Sequence, residues 1–201
     1  MATDAVVPVS GGLTDWISIG VLAASVPRDV IDEAVVQHGK QAKRSDGKLP
    51  PHVVVYFAMG MALFADEDYE EVLTRLVEPL ARWGCWDERW RIPGSSGITQ
   101  ARQRLGHEPV QQVFADVAVP VCEPLTRGAF SAGRRLVSID GFEWDVPDTD
   151  VNAAVFGYAG GKQHPSAFPK ARVVTVTESG SHATIGARIG PCTGEGSGEQ
   201  S

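Results

Sequence analysis

Apolar and polar positions alternate along this chain with two different periods, and the change falls near residue 130. Before it, the spacing is helical. Thr14 or Asp15 can cap a helix through Trp16, Ile17, Ile19, Val21 and Leu22. Pro27 opens a second over Arg28–His38, with Val30, Ile31, Ala34 and Val35 on one face and Gly39 ending it. After a polar connector, Lys40–Lys48, the pair Pro50-Pro51 opens Val53–Ala65, a 13-residue run apolar nearly all round and so expected to be the buried central helix. Glu70–Leu80 is amphipathic, Ser95 or Ser96 caps Ile98–Leu105, and Val110–Val119 closes the series. This spacing predicts a compact helical domain.

Beyond residue 130 the period shortens to two. Arg134–Asp140 and Phe142–Val146 have strand character on either side of an Asp-Gly, and Leu136–Ile139 is apolar enough for a central strand. Asp150–Pro169 reads as loop. Arg172–Glu178 and Ser181–Ile189 form a hairpin about Ser179-Gly180-Ser181. The fold class is therefore α+β, with an all-helical domain over residues 1–130 and a strand-rich segment over 131–201.

Composition narrows the classes. A hydrophobic content of 43% excludes wholesale disorder, and a 13-residue apolar run falls short of the roughly 20 residues a membrane helix needs. With no basic leader and three distant cysteines lacking any Cys-x-x-Cys, the default is a reduced cytoplasmic protein with no membrane partner. The net charge of −7 has the wrong sign for unselective coating of nucleic acid, so any DNA contact must be local.

Three groups of side chains carry candidate chemistry. Asp140, Glu143, Asp145, Asp148 and Asp150 place five carboxylates in eleven residues. Carboxylates at the ends of central strands are suited to holding Mg²⁺, because rigid backbone aims hard oxygen ligands into one pocket; Asp140-Gly141 is equally a favoured hairpin turn. On Ile98–Leu105 an apolar inner face leaves Gln100, Arg102, Gln103 and Arg104 toward solvent. These are side chains that make bidentate contacts to adenine and guanine edges, on either a recognition helix or an ordinary solvated face. From Arg82 to Arg104 five arginines face two acids. Lys162, Lys170 and Arg172 could meet phosphates beside Asp140, or simply be surface cations. The five histidines lack metal-ligand spacing, and no phosphate-binding Gly-rich loop or nucleophile elbow is present.

The run Leu136–Thr149, with Asn152, Phe156-Gly157, Ser166–Val174 and Gly186–Cys192, resembles transposases of the IS4 insertion-sequence family. The first 130 residues, including Ala101–Gly106, resemble that family's helical N-terminal domain. The resemblance implies an RNase H-like catalytic domain whose two Asp and one Glu hold two Mg²⁺ ions for in-line attack on phosphodiester bonds at the element's terminal inverted repeats. It also implies a nucleoid-associated protein in bacterial cytoplasm.

Asp140 matches the first Asp, both as catalytic residue and metal ligand. The second Asp and the Glu, the latter within a Tyr-x2-Arg-x3-Glu-x6-Lys motif, have no match: three residues after the tyrosines stand Met59, Val72 and Gly161. The capping box Ser197-Gly198-Glu199-Gln200 falls where the family continues into a further helix. The expectation is a truncated DDE transposase holding only the first three antiparallel strands of the catalytic fold, inactive alone. It would be limited to DNA binding, or to interference with full-length transposase through shared DNA ends or mixed oligomers. Competing expectations are a protein-interaction module and a small acid-pair hydrolase using the Asp140–Asp150 cluster. The strands beyond residue 130, lacking covering helices, are expected to be marginal or self-associating.

Overall fold

The computed structural model describes residues 20–42, 49–87, 90–160 and 164–192. The expected Thr14 or Asp15 cap, the residues through Ile19, Lys162 and the Ser197 capping box lie outside the described residues. The chain divides into two compact units, residues 1–117 and 118–201.

Unit 1 is helical: α1 (residues 20–25), α2 (Arg28–Gln37), α3 (Pro51–Leu63), α4 (Tyr69–Arg82), α5 (Ser95–Leu105) and α6 (Glu108–Val117). Pro27 is the extended N-cap of α2, which buries Ile31, Ala34 and Val35; Gly39 then turns the chain in a left-handed conformation, φ +64°. In α3 Pro51 supplies the first-turn position, and His52 through Phe57 are all buried, as the all-round apolar pattern predicts. This helix packs against α2, α4 and α5 and forms the centre of the unit. At Gly60 a Cβ would stand only 3.0 Å from Leu76 Cδ1, so the glycine sets how closely α3 and α4 approach. The Asp68 carboxylate accepts from Glu71 N at 2.9 Å and starts α4.

Neither Ser95 nor Ser96 caps α5. Gly94 takes the N-cap position without a side-chain bond, and the Glu70 carboxylate of α4 accepts from both Ser95 N (2.8 Å) and Ser95 Oγ (2.9 Å). A carboxylate from a neighbouring helix thus does what the local sequence assigned to a serine.

Unit 2 contains a small ladder of β1 (Phe130–Ser131) with β2 (Arg134–Arg135), then an antiparallel sheet in the order β3 (Val137–Asp145), β4 (Lys170–Glu178), β5 (Thr184–Pro191), with α7 (Asp150–Phe156) against β4 and β5. Four expectations are corrected. Asp140-Gly141 neither ends a strand nor turns: β3 runs straight through it, Asp140 opposite Thr175 and Gly141 opposite Val174. Among the described residues β3 is an edge strand and β4 the central one. Residues 150–156 are helical rather than loop, because Thr149 caps them by accepting from Asn152 N at 3.2 Å. The hairpin turn is also longer than Ser179–Ser181: Glu178 N donates to Ala183 O, and His182 adopts φ +59°. The overall class is mixed helix and sheet, and no described helix is long and apolar enough to cross a membrane.

Candidate nucleic-acid interface and the acidic strand

On α5 the residues Ile98, Ala101 and Leu105 are buried against the core. The four outward candidates separate into different roles. Arg102 turns back into the unit: its Nη1 donates to Tyr69 Oη at 2.5 Å and its guanidinium lies 5.1 Å from that ring's centroid. Tyr69 in turn meets Phe57 edge-on at 5.6 Å, so Arg102 serves packing. Gln100, Gln103 and Arg104 are exposed.

Gln100 and Arg104, one turn apart, form a wall of a groove of about 820 Å³ between α5 and the chain around the α2–α3 connection. Val54 and Ala101 line its apolar part; Lys40 and Gln41 stand on its other side. Among the described residues no Asp or Glu lines it. Lys40 Nζ lies 3.7 Å from Glu108 Oε2. The Glu108 carboxyl is held below its ordinary range, first by its own backbone N–H and then by Lys40 and neighbouring histidines, against desolvation. At the start of α5, where free N–H groups would attract an anion, the Glu70 carboxylate is already seated.

In unit 2 the side-chain alternation of β3 divides the acidic cluster between two faces. Glu143 and Asp145 pair across to β4, with Arg172 Nη2 at 2.8 Å from Glu143 Oε1 and Lys170 Nζ at 2.6 Å from Asp145 Oδ1. The Asp145 hydrogen bond raises the Lys170 pKa, which keeps the ammonium charged. Two of the proposed phosphate-binding cations thus neutralise the cluster's own acids. Asp140 belongs to the other face with Phe142 and Trp144, whose rings lie 5.1 Å apart. It is exposed, and its Oδ1 accepts from Gly141 N at 2.9 Å. Asp148 accepts from Tyr158 Oη at 2.7 Å, an interaction that raises the tyrosine's pKa; Asp150 lies in the first turn of α7. The cluster is thus split, with Asp140 on one face of β3 and Glu143 and Asp145 on the other. Among the described residues no group of three or more His, Cys, Asp or Glu could hold a metal ion.

The most buried carboxylate was not a sequence candidate. Glu178, at the end of β4, has no exposed surface. It accepts from Val121 N (2.9 Å), Cys122 N (3.1 Å) and Ser181 Oγ (2.9 Å), and pairs with Arg135. Burial pushes its pKa up, but the hydrogen bonds from Val121, Ser181 and Cys122 outweigh it and hold the carboxyl at about 2. Nothing in the alternation around Val174, Val176 and Glu178 marks it, because three of these partners lie more than 40 residues earlier.

Comparison with known proteins gives these features a family. Residues 16–115 match the family described as Insertion element 4 transposase N-terminal. The chain is 30% identical over 168 residues to the transposase InsG for insertion sequence element IS4 of Escherichia coli, across 81% of this chain and 35% of that protein. It is 32% identical over 128 residues to the putative transposase InsZ of the same organism, across 60% of this chain and 41% of InsZ. The chain thus spans well under half the length of either relative. The InsG match is longer than unit 1 and so runs into unit 2. No solved structure shows a significant match. On these matches the chain belongs to the IS4-family transposases, of which it carries the N-terminal region.

Proposed function

We propose that this chain is a DNA-transposition protein of the DDE type whose own contribution is to bind DNA at an element's terminal inverted repeats, through unit 1. The observation that carries the reading is that the IS4 N-terminal match covers the unit holding a cation-lined groove with no carboxylate among its described lining residues, in a chain of net charge −7. Unit 2 is read as the opening strands of an RNase H-like domain, with Asp140 as the first catalytic carboxylate. Occupying the same ends, or joining mixed oligomers, would let the chain interfere with longer transposases.

The family implies Mg²⁺. A two-metal site needs several shared oxygens at fixed spacing, and Asp140 stands on its face of β3 apart from Glu143 and Asp145. The described residues therefore do not make up such a site. A protein-docking module is the second reading, favoured by Ile139, Trp144 and Ile189, each more than half exposed on the sheet.

Fluorescence anisotropy with duplexes carrying the element's inverted repeat, against shuffled duplexes, tests the DNA reading. The expected result is binding that weakens linearly in log–log plots of affinity against salt. Equal failure to bind either duplex at low salt would remove it.

A further inference from the structure

Resting on that DNA-binding reading, the groove along α5 specifies how the DNA is held. We propose that it seats one phosphodiester backbone strand between Lys40 and Arg104, so that unit 1 positions DNA by phosphate contacts and does not read bases with α5.

Shape gives the first argument. A recognition helix must project to enter a major groove about 12 Å wide. Gln100 and Arg104 instead form the wall of a recess, which a projecting backbone ridge can enter and a base edge at the bottom of a groove cannot. The stretch of α5 along the recess, Ser96 to Leu105, is about 13 Å long at roughly 1.5 Å per residue.

Charge gives the second. The two cations flank a recess that no acid lines among the described residues, in a protein with more acids than bases. Arg104 makes no ion pair among the described residues. Lys40 is ion-paired with Glu108 at 3.7 Å, beyond hydrogen-bond length, and among the described residues Glu108 Oε2 has no hydrogen-bond partner; the ammonium keeps its donors for a phosphate. Gln41 and Gln100 add neutral donors of the kind that fix register on a backbone. The anion site at the α5 start is closed by Glu70, which leaves the Lys40–Arg104 span as the place for phosphate.

The test compares the full chain with Lys40→Gln, Arg104→Gln and the double variant on three probes: the inverted-repeat duplex, a shuffled duplex and a dT20 single strand. Helical circular dichroism checks that each variant folds. Each single variant is expected to weaken binding to both duplexes by the same factor and to lower the slope of log affinity against log salt by about 0.9, the loss of one phosphate contact. Discrimination between the duplexes should stay constant. Variants that change the preference between duplexes would show base reading and overturn the inference. A double variant binding as tightly as the parent would overturn it while leaving DNA binding intact, whereas a parent that binds none of the probes overturns both. Displacement of the duplex by an oligo-glutamate peptide at equal concentration would assign the groove to a protein partner and overturn it too. Tighter binding of dT20 than of either duplex supports a lone strand as occupant; the reverse supports one strand of a duplex.

Discussion

α3 and the start of β3 both read from sequence as central elements and meet opposite fates. In α3, His52 through Phe57 are buried without a break, with helices on several sides. In β3 all nine residues are exposed, Ile139 by 61% and Trp144 by 54%. Unit 1 is held by a core; β3 is held by its ladder to β4 and by the Glu178 cluster near its start. The lesson concerns where mutations register. Side-chain volume decides stability in unit 1, whereas in unit 2 a few polar groups do.

Substitutions can break or sharpen this contrast. The largest effect is expected from Phe57→Ala, which empties a fully buried site on α3; such truncations cost about 3–5 kcal/mol, enough to unfold a marginal domain. Helical circular dichroism in urea should show unit 1 lost, and a shift below about 1 kcal/mol would mean that its core is not the close-packed centre described above. Next, Glu178→Gln leaves Arg135 and the 121–122 amides without their anion. Amide exchange should accelerate across β4 and the 179–183 turn while α3 stays protected; uniform acceleration in both units would erase the distinction.

Acid should separate the units as well. Burial lowers the His52 pKa from 6.5, so the unfolded chain binds the extra proton and unit 1 begins to lose stability as pH falls below about 6.5. Glu178 is depressed from 4.5 to about 2; its contribution is complete above pH 4.5 and lost as pH falls toward 2. Thermal melts from pH 7 to 2 should show His52→Gln flattening the upper window alone and Glu178→Gln the lower alone.

Smaller still is Glu70→Ala, which removes the carboxylate from the α5 start; loss of a cap is worth about 1 kcal/mol, measurable as a shift in the unit 1 urea midpoint. Smallest is Asp145→Asn. Its ion pair with Lys170 is exposed and screened by salt, and no midpoint change is expected at physiological ionic strength.

The helices of unit 1 were legible because burial on one face or all round writes itself into a 3.6-residue period, and because Pro27, Pro51 and Gly39 act locally. The ladder of β4 with β5 was legible from alternation. The strand through Asp140 was misread because Asp-Gly favours a turn in isolation, and only pairing with Thr175 and Val174 extends the backbone there. The α7 helix was hidden in a segment rich in turn-forming residues, although Thr149 and Asn152 were there to cap it.

At the candidate sites, composition named Gln100, Arg102, Gln103 and Arg104 together, but a helix turns 100° per residue, and each meets different neighbours. Arg102 faces Tyr69, and Arg104 faces a groove whose other side is Lys40, 64 positions earlier. Lys170 and Arg172 looked like phosphate ligands until the antiparallel register set them against Asp145 and Glu143. What the sequence alone determined was the period of each element and the family to which it belongs, because both reside in order along the chain. Which charges are free, which are neutralised and which are buried was decided by tertiary structure, since an ion's effect depends on what stands within a few ångströms of it and those neighbours come from distant positions.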